Sequence, residues 1–257
     1  MAGNKVILIG AGNVATHLGK ALLKNGFHVA QVYSRTEESA SVLASALSAS
    51  YTTSLVDVEK DADLYIVALK DIVLQDLIPQ IIKGREDALF VHTAGSMSIN
   101  VWKGYAKRYG VLYPMQTFSK LREVDFSEIP FFIEASDQEG VDYLRNIAAK
   151  LSQRVYEATS EQRKYLHVAA VFACNFTNHM YALCDHLLTG KGIPFEVMLP
   201  LIDETARKVH ELNPKQAQTG PAIRYDENVI QSHLDMLKDE PVMQDIYERI
   251  SKSIHSL

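Results

Sequence analysis

The stretch KVILIGAGNVATHLGKALLKNGFHVAQVYSRT, residues 5–36, decides how the rest of the chain is read. Residues 5–9, KVILI, are a lysine followed by an unbroken apolar run that Gly10 closes, and the spacing of Val14, Leu18, Ala21 and Leu22 fits one face of a helix that Gly26 ends. A second apolar run, HVAQVY over 28–33, follows. Strand, glycine turn, helix and strand in this order open a parallel sheet with crossover helices.

The same alternation continues outward. It predicts a helix over 37–48, a short strand at 50–53, a buried strand DLYIVALK at 63–70, a helix over 71–83, strand ALFVH at 88–92 and a helix over 98–107. Strands GVLY (110–113), PFFIEA (130–135) and RVYEA (154–158) come after. From Ser160 onward the pattern is helical only, over 160–188, 194–212, about 226–237 and 240–255. The expected fold is α/β: a Rossmann-type, mostly parallel sheet covered on both faces over 1–157, then an all-α domain over 158–257.

With 257 residues, 47% of them hydrophobic, the chain has material for one large or two modest cores. Its net charge of −5 lacks the basic field that sequence-independent nucleic-acid binding needs. The two cysteines, Cys174 and Cys184, fit neither a disulfide framework nor a zinc spacing and read as small core residues. No apolar run reaches the ~18 residues of a membrane span, and no cleavable leader precedes the first strand. The expectation is a cytoplasmic protein with a small-molecule substrate, no metal, no membrane and no nucleic acid.

Gly10-Ala11-Gly12-Asn13-Val14-Ala15 is a G-x-G-x-x-A turn between strand and helix. There the first glycine makes the turn, the second lets the backbone approach a pyrophosphate, and the small residue packs helix on strand. The helix start adds free N–H groups and partial positive charge. The second strand ends in Ser34-Arg35-Thr36, where NAD-preferring sites carry an acid for the ribose hydroxyls. A hydroxyl, a guanidinium and another hydroxyl suit a 2′-phosphate, which points to NADP rather than NAD; the bland reading is that Ser34 or Thr36 only caps the next helix. Ala68 and Leu69, ending strand 63–70, and Thr93, Ala94 and Gly95, following strand 88–92, complete the expected cofactor contacts. Ser96 beside them touches substrate, or else the stretch is a turn before a helix that Ser96 or Ser98 caps.

The segment 161–188 is too apolar for a surface helix and is expected to be buried, yet Lys164, His167, Asn175, Asn178 and Asp185 fall within one arc of about 80°. Buried polar groups need partners or a cavity. Either the stripe is a hydrogen-bonded seam, or Lys164 or His167 is a general acid/base on a carbonyl or imine, with Asn175 as a further catalytic group and Asn178 holding substrate. Tyr113-Pro114-Met115-Gln116-Thr117-Phe118 suggests a further wall of the same cleft between the domains. Arg224, in TGPAIRYD, could hold a substrate carboxylate or pair with an acid such as Asp226.

Together, GAGNVA, SRT, ADLYIVALKD and HTAGS resemble the superfamily of β-hydroxyacid dehydrogenase-like and pyrroline-5-carboxylate reductase-like proteins. HTAGS, YPMQTF, KYLHVAAVFACN and TGPAIRYD together are similar to a narrower group of NADP oxidoreductases ending in domain of unknown function 2520. The resemblance covers nearly the whole chain. It implies a helical domain like the C-terminal domain of 6-phosphogluconate dehydrogenase, a homodimer formed through it, and no established substrate. Related two-domain reductases also pair NADP with a deazaflavin. Hydroxyacid dehydrogenases carry lysine and asparagine four apart on the first interdomain helix; here Val168 stands four after Lys164. Prephenate dehydrogenases carry His-Pro after the sixth strand, where this chain has Tyr113-Pro114. A non-catalytic dinucleotide-binding redox sensor would need the glycine loop but not Lys164, His167 or Asn175.

Overall fold

The computed structural model describes residues 5–256. Strand β1 (Lys5–Ile9) runs through the middle of the sheet, with Val6 and Leu8 facing one layer and Ile7 and Ile9 the other, all four fully buried. A strand covered on both sides has no polar face to supply, which is why its sequence does not alternate. Around it stand β2 (His28–Tyr33), β3 (Ser50–Thr52), β4 (Leu64–Val67), β5 (Leu89–His92), β6 (Arg108–Pro114), β7 (Phe131–Ala135) and β8 (Val155–Glu157), in the order β3-β2-β1-β4-β5-β6-β7-β8. Neighbours pair in parallel except β6 with β7, which are antiparallel.

Helices α1 (Asn13–Lys24), α2 (Glu37–Leu47) and α4 (Gln138–Leu151) cover one face, placing Leu18, Leu22, Leu47 and Leu144 in the core layer that includes Val6 and Leu8. Helix α3 (Asp71–Ile82) covers the other with Leu74, Ile78 and Ile81, beside Trp102, Tyr65 and Phe90. Each such side chain stabilises the fold by roughly 1.5–3 kcal/mol through burial. Helix α4 was not anticipated. The expected helix over 98–107 is a correction: only a 3₁₀ turn, Ile99–Trp102, forms, because Trp102 is drawn into the core and Gly104 turns the chain at φ +87°.

The chain divides into two compact units, Met1–Cys174 and Asn175–Leu257. The first ends with α5 (Ser160–Ala170), opened by a capping box between Thr159 and Gln162. The expected single helix 160–188 is broken: Val171–Phe176 winds as a π-helix before α6 (Thr177–Thr189). Also in the second unit are α7 (Leu199–Glu211), α8 (Pro214–Ala217), α9 (Pro221–Arg224), α10 (Glu227–Met236) and α11 (Pro241–Ser256). Its small core gathers Ala222, Leu237 and Met243.

The burial expected of segment 161–188 is also corrected. Within the single chain Tyr165 is 73% and Val168 54% exposed, and α6 buries no residue. Cys174 is exposed and Cys184 half-buried, so neither is a core residue. Periodicity reports that a helix is apolar; it does not report whether the covering surface belongs to the same chain. Among the described residues no helix is long and apolar enough to cross a membrane.

Candidate nucleotide site

The carboxyl ends of β2, β1, β4 and β5 are neighbours, so the loops that follow them line one edge of the sheet. The glycine loop comes from β1. Gly10 takes φ +119°, and a Cβ there would stand 2.5 Å from the Ala68 carbonyl oxygen, so glycine is required both by conformation and by space. Its N–H donates to the Tyr33 carbonyl at 2.8 Å, tying β1's turn to β2's end. Gly12 faces open space, with nothing within 4 Å of where a Cβ would lie. As N-cap of α1 it supplies no capping side chain, and no acid occupies the first turn. The free N–H groups and positive end of α1 therefore face an opening that an anionic group can enter.

Ser34 is half-buried, and Arg35 and Thr36 are exposed. Thr36 holds the N-cap position of α2 but its hydroxyl makes no capping hydrogen bond, and Arg35 has no carboxylate partner among the described residues. The set is open to a phosphate. Ala68 and Leu69 flank the loop, the Ala68 N–H donating to the Ile9 carbonyl at 2.8 Å. Thr93 and Gly95 are buried and Ala94 half-buried.

Ser96 does not cap a helix: its hydroxyl donates to Asp71 at 2.7 Å, and Ser98 caps the 3₁₀ turn through the Asn100 N–H. Asn13 is directed elsewhere, donating from Nδ2 to the Phe118 carbonyl at 2.9 Å. His17 Nε2 meets the Ser119 carbonyl at 2.8 Å, and Lys120 Nζ donates to the Ala11 carbonyl at 2.9 Å. The segment 118–120 is thus tied to the glycine loop and α1.

Arg163, Ser160 and Glu134, none of them singled out from sequence, fix the β5 end of this edge. Arg163 is fully buried, ion-paired with Glu134 and donating to the Met97 carbonyl at 2.8 Å and the Ser160 hydroxyl at 3.2 Å. Ser160 in turn donates to Glu134 at 2.8 Å and accepts the Ile99 N–H at 2.9 Å. The start of α5 is therefore fastened to the loop after β5. His92 is buried with Nδ1 accepting the Ala94 N–H at 3.2 Å; burial, then the Arg163 charge, pushes its pKa down to about 3. Tyr113 lies against Gly95, where a Cβ would come 2.7 Å from the ring. Burial pushes the Tyr113 phenol up, with the Arg163 charge acting against it.

Lys164 and His167 lie one turn apart on α5, both exposed. Asn175 on the π-helix, Asn178 on α6 and Arg224 at the end of α9 all belong to the second unit, and all three are exposed. The signals for Arg163 were an arginine one residue after a capping box and an acid, Glu134, inside an otherwise apolar strand. Among the described residues no His, Cys, Asp or Glu cluster is arranged to hold a metal ion.

The family described as NADP oxidoreductase, coenzyme F420-dependent, matches residues 5–95, and domain of unknown function 2520 matches 129–254. A Bacteroides fragilis protein provisionally named an NADP oxidoreductase has a solved structure that is 64% identical, covers 99% of both chains and superposes with a TM-score of 0.95. Two distant structures share the fold. An imine reductase from Myxococcus stipitatus in complex with NADP+ is 17% identical over 98% of this chain and 92% of its own, with a TM-score of 0.65. A pyrroline carboxylate reductase from Plasmodium falciparum with NADP bound is 11% identical over 98% of both chains, with a TM-score of 0.61. No curated protein matches the chain. With a relative 64% identical along its full length and the two family models matching in succession, the chain belongs to the NADP-dependent oxidoreductase family that ends in domain of unknown function 2520.

Proposed function

We propose that the protein transfers a hydride between NADP(H) and a small carbonyl, imine or hydroxyacid at the carboxyl edge of the sheet. The observation that carries this reading is the uncapped start of α1 beside the open Ser34-Arg35-Thr36 set. In it, the backbone of Gly10 to Val14 cradles the pyrophosphate, Ser34, Arg35 and Thr36 take the 2′-phosphate, and Ala68, Leu69, Thr93, Ala94 and Gly95 border the nicotinamide half. When bound, NADP(H) supplies or accepts the hydride. Lys164 or His167 holds the proton exchanged with the substrate's oxygen or nitrogen, Asn175 assists, and Ser96, Asn178 and Arg224 orient its polar groups. Residues 1–157 are the cofactor domain in this reading, and 158–257 the substrate and dimer domain.

The same reading makes the protein a homodimer through its helical part. Leu201 is 59% and Met236 77% exposed, and neither α7 nor α10 buries a residue within the chain. An apolar surface of this extent supports a partner surface.

Fluorescence titration with NADPH and NADH, followed by turnover on a panel of carbonyls, imines and hydroxyacids, tests the proposal. NADPH binding with turnover that Lys164→Ala or His167→Ala abolishes is the expected result. Absence of binding at millimolar NADP(H) and NAD(H) overturns it. Binding without turnover on any substrate favours the redox sensor instead.

A further inference from the structure

A second concavity, of about 840 Å³, lies outside the nucleotide edge, and no residue assigned to the cofactor lines it. It is bounded by α1 from His17 to Lys24 and the following Asn25, by the segment 120–127 and by the end of α4 with the residues that follow it. The volume falls within the roughly 300–1,000 Å³ of small-molecule sites.

Its charge runs against that of the chain. The protein carries a net −5, yet Lys20, Lys24, Lys120, Arg122 and Lys150 line this wall with only two carboxylates, Glu123 and Asp125. Asp125 accepts the Ser127 N–H and hydroxyl at 3.0 and 2.8 Å and its charge acts on Lys24, so the two carboxylates offset only part of the five positive charges. Among the described residues, none of the five cations is ion-paired. Two are positioned by uncharged groups instead: Lys120 donates to the Ala11 carbonyl at 2.9 Å, and the Lys150 ammonium lies 5.0 Å from the centre of the Phe27 ring. Lys20 and Lys24, one helical turn apart on α1, repel each other with no acid between them. Five like charges spread around one concavity cost stability unless an anion joins them.

We propose that this groove is a binding site for a condensed phosphate, either free or as the tail of a nucleotide, separate from the NADP site and independent of the reaction assigned to it. Compact ammonium charges spread along a wall suit several linked phosphates better than one planar carboxylate. The phosphates lie between α1 and α4, against Lys20, Lys24 and Lys150, with Arg122 and Lys120 at the end nearer the glycine loop.

The test is isothermal titration calorimetry on the full chain, saturated with NADPH and free of magnesium, using sodium tripolyphosphate and, separately, ATP. Saturable binding of one molecule per chain, weakened about tenfold or more by Lys20→Glu/Lys150→Glu and unchanged by Lys238→Glu or Lys60→Glu/Lys238→Glu, is the expected result. Lys238 is exposed and does not line the groove, so Lys238→Glu matches the charge change of Lys20→Glu, and Lys60→Glu/Lys238→Glu, two exposed lysines outside the groove, matches that of the double variant. Equal affinities for the two probes identify the phosphate chain as the recognised group, and tighter ATP binding adds the nucleoside. Should the double variant fold poorly, Lys20→Glu alone serves, because it places an acid one turn before Lys24 in the stabilising orientation. The proposal is overturned if neither probe saturates, if NADPH saturation abolishes binding that the NADPH-free protein shows, or if a charge-matched control weakens binding as much as its groove variant does.

Discussion

Arg163, with none of its side chain exposed, is ion-paired to Glu134 of β7, and the same guanidinium holds the Met97 carbonyl of the loop after β5. One buried cation thus joins α5, β7 and the HTAGS loop. Burial pushes its pKa down, and Glu134 opposes that shift. Removing a partner from such a pair leaves a buried charge unsatisfied. Arg163→Met is therefore expected to lower stability by about 3–5 kcal/mol in urea unfolding. Arg163→Lys recovers little, since one ammonium cannot reproduce the fork that reaches Glu134, Ser160 and Met97. A loss below about 1 kcal/mol for Arg163→Met would remove the pair as an anchor of α5.

The two glycines of the loop separate fold from cofactor. Gly10→Ala places a Cβ 2.5 Å from the Ala68 oxygen at a φ of +119°, and stability is expected to fall by about 1–3 kcal/mol. Gly12→Ala meets nothing in the protein and costs only the poorer N-cap, so stability should stay within about 1 kcal/mol. NADPH affinity should nevertheless drop at least tenfold in Gly12→Ala, read by fluorescence titration, because the added methyl occupies the space left for the pyrophosphate.

Arg35→Ala isolates the 2′-phosphate. Loss of a charge-assisted contact is worth roughly 1.5–3 kcal/mol, so NADPH should bind about 10–150-fold more weakly while NADH is unaffected. Equal weakening of both cofactors would show that Arg35 does not read the phosphate.

His92 sets a pH dependence. Its pKa falls from 6.5 to about 3 in the fold, so between those values the unfolded chain binds the proton and the folded chain does not. Stability from this group is complete above pH 6.5 and is lost as pH falls toward 3, by up to about 1.4 kcal/mol per pH unit. His92→Asn should flatten the stability profile between pH 6 and 4; an unchanged slope would mean that His92 is protonated inside the fold.

The exposed helical surface gives a prediction on assembly. Leu201→Glu combined with Met236→Glu should move the protein from dimer to monomer in sedimentation velocity while the helical circular dichroism signal is retained. A wild-type protein that sediments as a monomer at micromolar concentration would remove the dimer from the proposed function.

What could be read from residues 5–36 was local chemistry: β1, α1, β2, the glycine turn and the open Ser34-Arg35-Thr36 set are each written within a few positions of the chain. Periodicities of 2 and 3.6 and a positive-φ glycine depend on neighbours in sequence, so they survive without a three-dimensional context. The helix expected over 98–107 failed for the opposite reason. Trp102 is buried against Phe90 and His92, and that tertiary pull overrides the local pattern. On α5 the arc of polar residues directed attention to Lys164 and His167, but a helical wheel carries no mark of which side meets the protein. Arg163 is the one turned inward, and it is chosen by Glu134 and Met97, 29 and 66 residues away. The sequence by itself determined the strand-glycine-helix unit and the absence of an acid at the end of β2. Only the tertiary structure decided which charges are paired in the interior and which remain open, because pairing depends on side chains that the fold, not the chain order, brings together.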